Sequence, residues 1–267
     1  MAWVESTSVS FRARHDSDDT RDARRVLDSL EIVRGRLEDL FPRLPDVITV
    51  VLHRSVPSLM LTNPALPLMW LSTAPAARRY VAGWVGGREV HVLAPTVLRA
   101  RASNVAGSRE MLSLSAAVLY TRRVIAENNR DLQGVMTPIR LRRELRWAWL
   151  LEGAARWFSG QTGHARPAIA RRLREGGSPS FPPGLRDATL LGGTVIDLLS
   201  REHGEGAAAR FCTRLHPQGA RPALTKAFGG RSLADTEGAW RSHLARLAGP
   251  ERGPASNGPG LMGQHGH

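Results

Sequence analysis

Cysteine and lysine occur once each in this chain. Cys212, in "ARFCTRL", has no second thiol to join, which excludes an internal disulfide, and its apolar neighbours predict a buried side chain. Of the 37 basic residues, all but Lys226 are arginine, a usage that with abundant Ala, Gly and Pro resembles that of a GC-rich genome. No stretch of eighteen apolar residues occurs, so no transmembrane helix and no membrane partner are expected. The opening "MAWVESTSVSFRARHD" lacks the apolar core of a secretion signal, and the expected location is the reducing cytoplasm. A G-x-S-x-G nucleophile elbow is missing, and "LLGG" and "FGGRS" lack the spacing of a phosphate loop. No internal repeat of fixed period argues for a solenoid.

The net charge of +13 invites a nucleic-acid reading, but its distribution weakens that reading. Residues 1–60 hold 9 arginines against 10 acids, and the remainder holds 28 basic against 14 acidic residues. Arginine pairs at 24–25, 78–79, 122–123, 142–143 and 171–172 fall on separate predicted elements. A nucleic-acid surface concentrates its charge in one stripe, often with aromatics for stacking, so nucleic acid is not the expected partner.

At 42% apolar, the chain is expected to fold around a sizeable core. Ser8–Arg14 alternates as a strand. Val26, Leu27, Leu30, Val33, Leu37 and Leu40 then recur at helical spacing, with Asp16, Asp18 and Asp19 placed to cap the helix. Val47–His53 is β-branched and almost wholly apolar, as a central strand is. "RRYVAGWVGGREVHVLAP" predicts a hairpin turning at Gly86–Gly87. Everything after Pro95 reads as helix, with one segment from Ser108 through Asn129 and another beginning at Pro138 and running beyond Phe158. The expected fold is α+β: a small α/β sheet unit over 1–95 with a mixed sheet and edge hairpin, a mainly helical part over 96–248, and a Gly/Pro-rich disordered tail over 249–267.

Within the helical part, "WLLEGAARWFSG" (Trp149–Gly160) carries one carboxylate, Glu152, in a run otherwise apolar or small apart from Arg156. A helix of the form W-L-x-E-G-x-A, preceded by another helix and an edge hairpin, resembles the gluzincin metallopeptidases, in particular the bacterial proteins with a peptidase MA-like domain. The N-terminal strand–helix–strand, "AGWVGGREVHVLAP", "LLGGTVIDLLSREHGEGAAARFCTRL" and "FGGRSLADTEGAWRSHL" follow in the order that family shows, so the resemblance spans roughly residues 8–247. It implies a gluzincin (thermolysin-like) architecture. It also implies a zinc ion held by two histidines of an HExxH helix and by the glutamate of the later helix, with a substrate backbone laid along an edge strand, here Glu89–Leu93.

Residue by residue, only Glu152 matches, at the position of the third ligand. The preceding helix, "SLSAAVLYTRRVIAENN", contains no histidine, and neither HExxH nor HxxEH occurs anywhere. The slot falls within Leu119–Ile125, where Tyr120, Thr121, Arg122, Arg123 and Val124 supply no pair of imidazoles and no general base. The expectation is therefore no catalytic residue, no metal ligand and no cofactor. The candidate cleft residues are Tyr120, Thr121, Arg122, Arg123, Glu152 and Arg156. Glu152 reads either as the i,i+4 partner of Arg156 or, if its helix is buried, as the partner of a guanidinium of Arg122 or Arg123 that faces it instead, in place of the dication. His53, His91, His203 and His216 never pair at i,i+4 and read as structural or solvated; His15 and His164 read as loop or helix-start residues, and His243 as half-buried or solvated. Glu110, Glu127 and Asp131 read as capping or solvated acids, and Gly153 as a point of close helix packing.

The function these observations predict is that of a catalytically degenerate metallopeptidase-like protein, a pseudopeptidase that binds a peptide or protein partner in the groove of its edge strand or serves as a structural module. Two alternatives stay open: a metal-dependent hydrolase whose ligands His53, His91 or Asp131 converge with Glu152, and a basic nucleic-acid-binding protein.

Overall fold

The computed structural model describes residues 3–134 and 137–249. The predicted tail lies outside the described residues from position 250 onward. Five strands form one mixed sheet in the order β1-β2-β3-β5-β4. These are β1 (Trp3–Thr7), β2 (Phe11–Asp16), β3 (Ile48–His53), β4 (Gly83–Val85) and β5 (Glu89–Leu93). β2, β3 and β5 run parallel; β1 and β4 flank them antiparallel. The chain is α+β, as its sequence predicts.

Alternation builds the core face of this sheet. Phe11 and Ala13, Val50 and Leu52, Val90 and Val92 all turn to one side and are buried there. Against them packs α1 (Thr20–Glu38), whose Leu27, Leu30, Val33 and Leu37 form the predicted apolar stripe. Asp16 begins the chain's turn into α1 by accepting from the Asp18 amide. The helix α7 (Ser115–Asn128) lies beside α1 and contacts β4 and β5.

Two strand expectations are corrected. The first strand is β1, not Ser8–Arg14: the chain turns at Ser8, whose amide donates to Phe11 O at 2.9 Å, and the alternating segment is the second strand. β1 escapes a periodicity search because none of its five residues is buried. Glu89–Leu93 is not an edge strand either. β5 pairs with β3 on one side and β4 on the other, and it is Gly83–Val85 that lies at the sheet's edge. Four of the five β5 residues are buried, which suits an interior strand.

The connection from β3 to β4 carries α2 (Val56–Leu61), α3 (Leu66–Ser72) and α4 (Pro75–Arg78). After β5 come α5 (Pro95–Arg101), α6 (Ser108–Ser113), α7, α8 (Pro138–Arg146), α9 (Ala148–Phe158) and α10 (Arg166–Arg174). The chain closes with α11 (Leu185–His203), α12 (Glu205–Cys212), α13 (Ala220–Ala227) and α14 (Leu233–Ala248). Two helices expected to be continuous are broken, one at Leu114 between α6 and α7 and one at Trp147 between α8 and α9. At the second break the helical turn ends (φ −104°, ψ 13°) and the Trp147 ring is buried, while α8 itself has no buried residue. An exposed, arginine-rich helix and a buried one thus meet at the residue that anchors the junction.

α9 packs on α11 more extensively than any other pair of elements. Glycine makes this possible: a Cβ on Gly153 would lie 2.3 Å from the Gly192 carbonyl carbon, and one on Gly192 would lie 2.3 Å from Trp149 O. The backbones therefore approach at the predicted position, Gly153, and at an unpredicted partner, Gly192. Cys212 is buried as expected; its thiol donates to Ala208 O at 3.1 Å, and burial pushes its pKa up. Among the described residues no helix is long and apolar enough to cross a membrane.

Candidate functional site

α7 and α9 pack side by side, and the face α7 turns to α9 carries Arg122. Its Nη1 donates to Glu152 Oε1 in direct contact, and its Nη2 lies 3.9 Å from Glu144 Oε2. The other oxygen of Glu152 accepts from Arg156 Nη2 at 3.5 Å. Arg156 Nη1 donates to Gln161 Oε1, and Gln161 Nε2 donates to Met111 O. On the outer side Arg140 Nε donates to Glu144 Oε1 at 2.9 Å. A chain of polar contacts thus runs from α8 through α7 and α9 to the end of α6. Three guanidiniums in it face two carboxylates.

Burial grades along this chain. The Arg156 side chain is 7% exposed, Glu152 19% and Arg122 32%. Arg156 Nε has no hydrogen-bond partner among the described residues. Burial, and then the nearby charge of Arg122, pull the Arg156 pKa down to about 10, so at neutral pH it stays a cation. Burial lowers Arg122 as well.

Of the six candidate cleft residues the structure brings three together: Arg122, Glu152 and Arg156. The guanidinium expected before Glu152 is that of Arg122, not Arg123. Arg123 points along its own helix to Glu127, 2.6 Å away. Tyr120 is fully buried on the sheet side, edge-on to Phe11 at 4.9 Å, with its hydroxyl accepting from Arg34 Nη1 at 3.2 Å. Thr121, also fully buried, donates to Ala117 O at 2.8 Å within its helix. Residues four apart share a helix face, so Arg122's neighbours toward Glu152 are Val118 and Ala126, both outside the expected slot.

These side chains do not fit a zinc ion. Both oxygens of Glu152 are taken by cations, and Val118 and Ala126 offer no donor atom. Among the described residues no three His, Cys, Asp or Glu side chains gather as a metal site would require.

The buried histidines are elsewhere. His53, at the end of β3, and His91, in β5, face each other with Nε2 and Nδ1 3.1 Å apart. His53 Nδ1 lies 3.1 Å from Ser58 Oγ in α2, and His91 Nε2 lies 3.1 Å from Glu89 Oε2. A carboxylate only accepts, so His91 donates to Glu89; with one proton on each ring, His53 then donates to His91 and the Ser58 hydroxyl donates to His53. Trp84 of β4 stacks on the His91 ring at 4.4 Å and 3°. Burial, reinforced by His91, pulls the His53 pKa down to about 4 and keeps it neutral. Strand register makes this pair, since His91 stands opposite Val51 and Leu93 opposite His53. Helical spacing could not reveal it; the signal available was a histidine on each of two predicted strands.

Two further histidines depart from expectation. His15 is fully buried in β2, between Ser6 Oγ at 2.9 Å and Asp16 O at 2.7 Å. His243 is buried in α14, with Nε2 2.8 Å from Asp197 Oδ2. Burial alone would raise the Asp197 pKa, but hydrogen bonds from His243, Trp157 and Arg201 outweigh it and hold the carboxyl at about 2. Asp131 accepts from the Leu215 amide at 2.8 Å and lies 3.7 Å from Arg143. None of His53, His91 and Asp131 forms a metal cluster with Glu152.

No protein-family model matches the chain, and no curated protein matches its sequence.

Proposed function

We propose that this protein is a metallopeptidase-like scaffold that hydrolyses no peptide bond through zinc and works as a peptide- or protein-binding module. The observation that carries this reading is the Arg122–Glu152–Arg156 contact: the one residue that matches the family's ligand set spends both its oxygens on arginines. A guanidinium provides positive charge to that carboxylate, but it neither acidifies a water nor polarises a carbonyl as a metal ion does.

The binding edge in this proposal is β4. Ala82 O accepts from the Leu93 amide and the Gly86 amide donates to Glu89 O, so these residues turn toward β5. Gly83 and Val85 alternate with them and turn their amides and carbonyls away from β5; Gly83 is buried and Val85 half-buried, and in this proposal an extended peptide adds as a strand from the Val85 end. This surface replaces the Glu89–Leu93 edge that the sequence suggested.

Tag-free full-length protein, loaded with zinc and then dialysed, is expected to retain far less than one zinc per chain and to leave a random decapeptide pool uncut. The same pool is expected to slow amide exchange at Gly83 and Val85. One tightly held zinc per chain that is lost in Glu152→Ala, or turnover of the pool, would overturn the loss of catalysis. Unchanged exchange along β4 would overturn the binding role.

A further inference from the structure

A cavity of about 440 Å³ opens where the parallel strands β3 and β5 end. It lies within the range of roughly 300–1,000 Å³ typical of small-molecule sites. It also occupies the place where α/β sheets most often hold ligands, beyond the carboxyl ends of parallel strands. Its floor is apolar and buried: Leu52, Val92 and Leu93 from the sheet, Leu98 from α5 and Leu112 from α6. Ala116 and Ala117, in the first turn of α7, line the cavity with nothing larger than methyl groups, and Leu114, where the chain breaks between α6 and α7, stands on its wall.

Charge collects at the rim. Arg25, Arg99 and Arg109 stand there with Asp22 and Glu110, leaving one positive charge in excess. Asp22 is shared by Arg99 at 2.7 Å and Arg25 at 3.6 Å. Arg109 is exposed and, among the described residues, makes no ion pair.

We propose that this cavity binds a single-chain aliphatic carboxylate, with the chain on the leucine and valine floor and the head group at the arginine rim. An apolar concavity of this size takes the hydrocarbon of a ligand's chain out of water. A surplus of one charge matches a monoanion, and guanidiniums pair with the planar carboxylate in two-point contact. The site is separate from the Arg122–Glu152 contact and from the β4 edge, so it stands or falls apart from the proposed function.

Full-length protein titrated calorimetrically with sodium decanoate, below its aggregation threshold, is expected to show one saturable site. Decan-1-ol is expected to bind about tenfold more weakly, and decyltrimethylammonium not measurably. Arg109→Glu, an exposed change that leaves the core untouched, is expected to weaken decanoate about tenfold while decan-1-ol is unaffected. Ala117→Leu, which fills the cavity, is expected to abolish binding of both. The proposal is overturned if decanoate shows no saturable site, if the three head groups bind alike, or if Arg109→Glu leaves decanoate affinity unchanged; this last measurement decides the matter even if Ala117→Leu fails to fold.

Discussion

Two buried polar clusters in this protein meet the cost of burial in opposite ways. Between α7 and α9, Arg122, Glu152 and Arg156 keep their charges and oppose them to one another. On the sheet, His53 gives up its charge and joins a line of hydrogen bonds from Ser58 to His91. A metal site of the gluzincin kind would need the acid of the first cluster and the imidazoles of the second in one place. Here the ligand types are sorted into different parts of the fold, and each has found a partner that makes a metal unnecessary for satisfying it. Chemical inventory alone therefore does not define a site; the partition of that inventory among the elements does.

The largest expected effect comes from removing the carboxylate that two guanidiniums share. Glu152→Ala leaves both cations without their common partner in a largely dry helix interface, where such a loss costs about 3–5 kcal/mol; the partial exposure of Arg122 favours the low end. Urea unfolding monitored by tryptophan fluorescence measures it. Adding Arg122→Met to Glu152→Ala is expected to restore part of the loss, because the uncompensated charge goes with it. A single-variant cost below about 1 kcal/mol would mean that the contact behaves as a surface ion pair, and the contrast between the two clusters would collapse.

The neutral cluster responds to acid instead. His53 has its folded-state pKa lowered to about 4 from 6.5, so its proton binds the unfolded chain first. Stability from this group is intact above 6.5, falls as the pH drops from 6.5 toward 4, and levels off below that. A shift of this size corresponds to roughly 3 kcal/mol at full burial. His53→Gln, which keeps a hydrogen-bonding side chain without a titrating ring, is expected to be nearly flat across that window. An equally steep acid limb in the variant would assign the loss to other groups. Asp197 titrates lower, near 2, and so its contribution is lost only below the window in which His53 acts.

The helix pairing was legible from the sequence to an instructive degree. Glu152 stood out because a lone acid in an apolar run needs a counter-charge, and Arg122 and Arg123 were the cations within one turn of each other on the preceding helix. Choosing between them was not possible, because adjacent helical residues point about 100° apart and the facing angle depends on tertiary packing. Gly153 was readable as a close approach, while Gly192 was hidden in a "GG" pair with no local sign of its partner. His53 and His91 lay beyond reach for another reason: they meet through the register of two strands 38 residues apart, which no local period encodes. β1 was missed because a strand with no buried residue leaves no alternation to detect.

The smallest expected effect separates two neighbouring arginines. Arg123 pairs with Glu127 at i,i+4 on partly exposed side chains, where such pairs contribute about 0.3–0.5 kcal/mol. Arg123→Gln should therefore change stability by no more than that, and the change should shrink as salt is added. Arg122→Gln one position away should cost several times more and respond less to salt, because it strips Glu152, which is less exposed than Glu127 and holds two guanidiniums, of its closest cation. Urea midpoints of the two variants at low and high salt test the difference. Equal costs would place Glu152 midway between the two arginines, and α7 would then present a different face to α9.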